Sequence, residues 1–202
     1  MKWAKMFNQP LNGYIAYLNF LNEKLEKFFE SQKPFIFCKK GCAKCCKNAQ
    51  FPYSVVEMKY LLEGLAMLDA PTQAKIEQNL KDILEKRKTF KGKKFRYDCP
   101  FLIDDVCSVY EYRGVVCRTF GLMTKYETGK LRAPFCTFEG LNYSNVLNLK
   151  KKTISPRKYK KLNVTQEPLG FNISYKYLTD EAFEQTFNFK FGEQKPLIEW
   201  FL

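Results

Sequence analysis

Residues 38–47 read CKKGCAKCCK, placing Cys38, Cys42, Cys45 and Cys46 within nine positions, and the chain contains no histidine. These two facts constrain the fold more than any other. A loop that gathers four thiols must cross-link them, use them as a redox pair, or turn them onto a metal, and the surrounding chain must be built to suit. Four further cysteines follow at Cys99, Cys107, Cys117 and Cys136, making eight in 202 residues. That density lies below that of small disulfide scaffolds, and a chain of this length can bury a core without staples. The lack of histidine excludes mixed Cys/His zinc sites, Cys-His nucleophilic pairs, His acid–base catalysis and His-held haem. Any metal is then held by sulfur, which selects zinc or an iron–sulfur cluster.

The opening MKWAKMFNQPLNGYIAYLNFL carries Lys2 and Lys5, but Asn8, Gln9, Pro10, Asn12 and Gly13 interrupt it before a signal-peptide core forms. No run reaches the roughly 18–20 apolar residues that span a bilayer. The expectation is a cytoplasmic chain with reduced thiols, which favours metal ligands or redox centres over bridges.

A formal charge of +13 points toward nucleic acid or an acidic surface. Only six of the 34 basic residues are arginine, however, and lysine is the poorer reader of bases. The densest run, Lys150 to Lys161, contains Tyr159 and a Ser155-Pro156 break but no apolar periodicity. It reads as a solvated connector, so a nucleic-acid partner is not expected.

Leu11, Tyr14, Leu18, Leu21, Leu25 and Phe28 recur at steps of three and four, an amphipathic helix over 11–31 that Pro34 ends. The cysteine-rich stretch follows as a loop turned by Gly41. Ser54 and Glu57 form a capping-box signal for a helix to about Leu68, and Asp69-Ala70-Pro71 opens another that ends in Lys86, Arg87 and Lys88. Asp104-Asp105 separates two short apolar runs, a hairpin whose carboxylates are turn residues and not a catalytic pair. Glu127-Thr128-Gly129 marks a second hairpin, residues 110–120 supply one to three helical turns, and Thr179-Asp180-Glu181 starts a short helix. The aromatic residues of 171–191 read as core, Met58 and Met67 as gap-fillers, and the apolar end 196–202 as packed against the rest. The expected fold is mainly α with small β-hairpins (α+β), one compact domain organised around a cysteine-ligated metal site. Its parts are an N-terminal helix (1–34), a cysteine-cluster core (35–140) and a C-terminal extension (141–202).

Cys38-x3-Cys42-x2-Cys45-Cys46, Cys99-Pro100-Phe101-Leu102, Cys107-Ser108-Val109-Tyr110-Glu111-Tyr112-Arg113 and Val116-Cys117-Arg118-Thr119-Phe120 together resemble the YkgJ-type cysteine-cluster family. That family is the CxxCxxCC zinc- or iron-chelating domain, and the resemblance covers about 35–140. It implies that Cys38, Cys42, Cys45, Cys46, Cys99, Cys107, Cys117 and Cys136 bind metal. Two departures stand out: the first gap has three residues, and Gly114 replaces a proline common after the arginine.

Four sulfurs must converge at about 2.3 Å from a metal, and a short Cys42-x2-Cys45 loop offers two from one turn. The adjacent Cys45 and Cys46 are expected to aim apart, so that both ligate only through a distorted loop or on different metals. One site, two sites or a bridged polynuclear site all remain open. A buried tetrathiolate centre is anionic and calls for donors nearby. Arg113 and Arg118, with Tyr110 on the same face, are the expected partners; the plainer reading makes both arginines surface ion-pair residues, with Glu111. Cys99-Pro100 favours an iron–sulfur cluster over zinc.

Two functions are weighed. One is a redox or cluster-dependent enzyme, with Tyr110, Tyr112, Glu111 or Asp105 moving protons. Protein lysine methylation enters here because flagellin lysine methylases share the cysteine signature, although no methyl-donor glycine motif is evident. The other is a non-enzymatic zinc-stabilised module that binds a protein or RNA through its basic surface.

Overall fold

Helix α1 (Asn12–Ser31) turns one face inward, burying Leu11 at its start, then Tyr14, Tyr17, Leu18, Leu21 and Leu25. The computed structural model describes residues 10–39, 41–47, 50–148 and 150–202. The expectations placed on residues 2–9 therefore lie outside the described residues, as does Lys40 of the cysteine loop. Pro34 does end α1, through a 3-10 turn at Lys33–Phe35. At that end the buried Gln32 side chain donates to Glu167 O (3.0 Å) and accepts from Leu169 N (2.8 Å), fastening the helix to a distant segment.

Strand β1 (Pro52–Ser54) leads directly into helix α2 (Val55–Ala66), with Ser54 as N-cap in a complete capping box with Glu57. Asp69 caps helix α3 (Ala70–Thr89), accepting from Thr72 N at 2.9 Å. Leu61 and Leu65 of α2 meet Ile76, Leu80 and Ile83 of α3 in one apolar cluster, which the chain's end joins through Leu197, Ile198, Trp200 and Phe201. Trp200 Nε1 donates to Tyr53 O at 3.1 Å.

Strands β2 (Leu102–Ile103) and β3 (Val106–Cys107) form the first hairpin. Both turn residues, Asp104 (φ 50°) and Asp105 (φ 61°), are left-handed, the geometry whose twist suits a two-residue hairpin. A 3-10 turn at Tyr110–Tyr112 precedes helix α4 (Val115–Thr119). Strands β4 (Met123–Lys125) and β5 (Leu131–Arg132) pair antiparallel around a turn with Gly129 at φ 76°.

The lysine-rich connector has more structure than its sequence suggests. Strands β6 (Leu147–Asn148) and β7 (Thr153–Ile154) pair, and helix α5 (Pro156–Leu162) starts on Ser155. Local capping by Ser155 and contact of Tyr159 with Phe35 replace the missing apolar stripe. Strand β8 (Gly170–Phe171) then pairs parallel with β4. Helices α6 (Tyr175–Leu178) and α7 (Glu181–Phe187) precede β9 (Gln194–Pro196), which pairs antiparallel with β1. Of the aromatic residues here, Phe189 and Phe191 are core, buried against Tyr14 and Tyr17, Phe171, Tyr175, Phe183 and Phe187 are partly buried against the same cluster, and Tyr177 is exposed. Met58 is buried, but Met67 is exposed and its sulfur accepts from Tyr112 OH (3.0 Å). The architecture is α+β, helices with small separate sheets. Among the described residues no helix is long and apolar enough to cross a membrane.

Candidate metal centre

All eight cysteines are free thiols. The loop holding Cys42 to Cys46 is folded by short turns, Cys42 N to Lys39 O (2.9 Å) and Cys46 N to Ala43 O (2.9 Å). It is joined to the second cysteine region by Cys99 N donating to Cys46 O at 2.8 Å. That bond brings thiols some fifty residues apart in sequence to one place. Cys45 and Cys46 do not point apart as adjacent residues in an extended chain would; their sulfurs lie 3.9 Å from each other because the turn curls both side chains to one side.

The thiols fall into two groups. In the first, Cys38 interacts with Cys136 and Cys42. In the second, Cys46 feels Cys45, Cys99 and Cys117, and Cys107 adds its charge to Cys99 and Cys117. Cys45 interacts with members of both groups. The thiols meet chiefly in pairs: among the described residues no three His, Cys, Asp or Glu side chains form a ready-made cage.

Their acidities diverge for physical reasons. The Cys136 thiol, aided by Asn142, holds Cys38 down to about 6. Cys46 lowers Cys45 in the same way and is itself raised. Burial pushes Cys117 up to about 12 and raises Cys99 and Cys107, Cys107 being eased slightly by the charge of Arg113. Burial of thiols beside other thiols opposes multiple deprotonation unless a cation is present.

Among the described residues, two side chains reach sulfur from outside the cysteine set, beside backbone groups at Phe101 and Val109 that act on Cys99 and Cys107. Tyr53 OH lies 3.5 Å from Cys117 Sγ and accepts from Gly114 N at 3.1 Å. A proline at 114 has no N–H to give, and a Cβ there would lie 2.8 Å from both Glu57 Oε1 and the Tyr53 ring. Close packing against β1 and α2 accounts for the glycine. Asn142, fully buried, accepts from Phe37 N (2.8 Å) and Cys38 N (3.1 Å) and donates to Gly121 O (2.8 Å) and Cys38 Sγ (3.3 Å). With both amide atoms engaged, its N–H is fixed on the Cys38 sulfur. Neither Tyr53 nor Asn142 carried a signal in the sequence, since each acts through a partner far along the chain.

Arg113 stacks on the exposed Tyr110 ring (3.5 Å to the ring centre) and donates to Tyr110 O at 2.8 Å. Arg118 is buried and donates to Arg113 O (3.0 Å), Asn22 Oδ1 (3.0 Å) and Glu111 O. It braces the turn before α4 against α1. Glu111 meets Arg118 through its backbone carbonyl. Glu57, visible in the sequence only as a capping residue, is fully buried. Its carboxylate accepts from Ser54 N (2.8 Å), Ser54 Oγ (2.7 Å), Tyr175 OH (2.7 Å) and Val115 N (2.9 Å). Burial raises its pKa while these donors work against that rise.

The fold and site define an α+β protein with a sulfur-only cluster of free thiols drawn from two regions of the chain. A family model named CxxCxxCC, described as "Putative zinc- or iron-chelating domain", matches residues 37–137, and the chain belongs to this family. No curated protein and no solved structure matches the chain.

Proposed function

We propose that this protein binds metal through its cysteines, with Cys45, Cys46, Cys99, Cys107 and Cys117 supplying the four ligands of one centre and one spare thiol, and Cys38, Cys42 and Cys136 serving a second. The observation that carries the reading is the meeting of the 38–46 loop with the 99–117 segment through Cys99 N and Cys46 O, with every thiol free. The donor set fits: thiolate sulfur is the ligand zinc and iron–sulfur centres take. A tetrahedral ion with sulfurs at about 2.3 Å sets two of them about 3.8 Å apart. Cys45 and Cys46, at 3.9 Å, have that separation. A four-iron cluster takes one cysteine per iron, so this spacing favours zinc, or a two-iron cluster in which each iron carries two cysteines.

The second group offers three sulfurs. Three protein ligands with one position left over is the pattern of catalytic metal sites, whereas closed four-sulfur sites are structural. Bound there, the metal would supply a Lewis-acid or redox centre. Asn142 would direct the Cys38 sulfur, and Tyr53 would donate to Cys117. The iron–sulfur reading rests on Cys99-Pro100. Metal analysis and absorption spectra of anaerobically purified protein separate the two. Zinc gives a colourless protein, while a brown protein absorbing near 400 nm holds iron–sulfur. A metal-free protein with all its thiols titratable refutes both.

A further inference from the structure

Beside the thiols lies a cleft of about 460 Å³, within the range of small-molecule sites. Three of the chain segments that wall it run directly off cysteines. Cys45 itself forms part of one, the residues after Cys117 form another, and those before Cys136 a third. Lys94, Arg96 and Arg132 face it. None of the chain's 21 Asp and Glu residues, all of them among the described residues, lines it. These three cations make no ion pair with any described carboxylate, and Arg132 meets the Tyr126 hydroxyl at 3.3 Å; a fourth lining cation, Lys44, pairs with Glu139 at 3.5 Å. Like charges gathered at a concave surface in excess of the counter-charge there focus a positive potential on it. The same cleft carries a ring pair, Phe51 and Phe120 with centres 5.7 Å apart, and the half-exposed Phe135.

From this combination we infer that the cleft binds a small oxoanion carrying a flat ring, of the nucleoside monophosphate class. Two arginines suit the planar oxygen pairs of a phosphate, and lysine adds charge. The phenylalanine rings offer faces for a base. Placement at Cys45 would hold such a ligand against the metal centre, but the binding itself needs no metal.

The test is calorimetric titration of the full chain, purified anaerobically, with AMP, adenosine and inorganic phosphate, and with metal content measured on the same sample. AMP is expected to bind at least about tenfold more tightly than either fragment, since charge and ring both contribute. Salt should weaken it. The double variant Arg96→Ala/Arg132→Ala, at exposed positions, should weaken AMP at least about tenfold with circular dichroism and metal content unchanged. Phe135→Ala should weaken AMP and leave phosphate alone. AMP binding no tighter than phosphate, or AMP binding indifferent to the arginine variant, overturns the inference. Metal present without AMP binding sinks the cleft alone; AMP binding without metal sinks the metal reading alone.

Discussion

Helix α4 meets two electronegative groups within three residues, and the protein treats them in opposite ways. At its first residue, Val115 N donates to Glu57, whose carboxylate also receives Ser54 N, Ser54 Oγ and Tyr175 OH. Two positions on, Cys117 meets one tyrosine hydroxyl and otherwise sits among more thiols. The carboxylate has its donors supplied by the fold, which joins β1, α2, α4 and α6 at one point. The sulfurs share a basin with few outside donors, and deprotonating them together needs positive charge from elsewhere. The difference separates an anion whose donors the fold supplies from thiols that, on the proposed reading, would take a cation.

The largest expected effect bears on the sulfur side. Chelating the metal from loaded protein should remove about 4 kcal/mol of stability where free ion stood a thousandfold above its dissociation constant, read by urea titration with and without chelator. An unchanged midpoint would make the thiols as self-sufficient as Glu57.

Next comes the carboxylate. Glu57→Ala strips four donors of their acceptor and should cost about 3 kcal/mol, with metal content retained in whatever protein folds. A loss under about 1 kcal/mol on the same urea titration would contradict its place at the junction.

Asn142→Asp puts an anion where an N–H met sulfur, and should weaken metal binding about tenfold to a hundredfold in a competition assay. In metal-free protein the Cys38 thiolate, at about 6, lies below its unfolded value near 8.5. Its contribution to stability is therefore complete above about pH 8.5 and fades as pH falls through about 6. Alkylation of Cys38 should follow a midpoint near pH 6, and Asn142→Ala should move that midpoint upward; an unmoved midpoint leaves Asn142 only a backbone clamp.

The smallest effect is expected at the rim, where Lys47 and Asp105 pair at 2.5 Å with both side chains about half exposed. Lys47→Ala should change stability by less than about 1 kcal/mol and leave metal affinity alone. A large loss of metal would move this lysine into the centre itself.

The same contrast explains what could be read from the residues. Helices α1, α2 and α3 were legible because their apolar spacing and caps at Ser54 and Asp69 are local, and the Asp104-Asp105 turn is likewise a matter of two adjacent residues. The cysteines stood out through their residue type and close spacing. The strand pairing of β1 with β9 was not legible, because its register joins Tyr53 to Lys195 across most of the chain. Nor were the donors around sulfur: Tyr53 reaches Cys117 over 64 positions, and Asn142 reaches Cys38 over 104. Asn142 also lies beyond the matched span of 37–137, so a cysteine of the family domain is steered by a residue outside it. Periodicity fixes which face is buried and is silent on which distant group a buried polar atom finds.

The most direct test is elemental analysis and thiol titration of protein purified without oxygen. Eight thiols in two groups predict up to about two zinc ions per chain, or the iron of an iron–sulfur cluster, with the cysteines slow to react until a chelator is added. Protein that arrives free of metal with eight promptly reactive thiols, or with its cysteines joined as disulfides, would contradict the account.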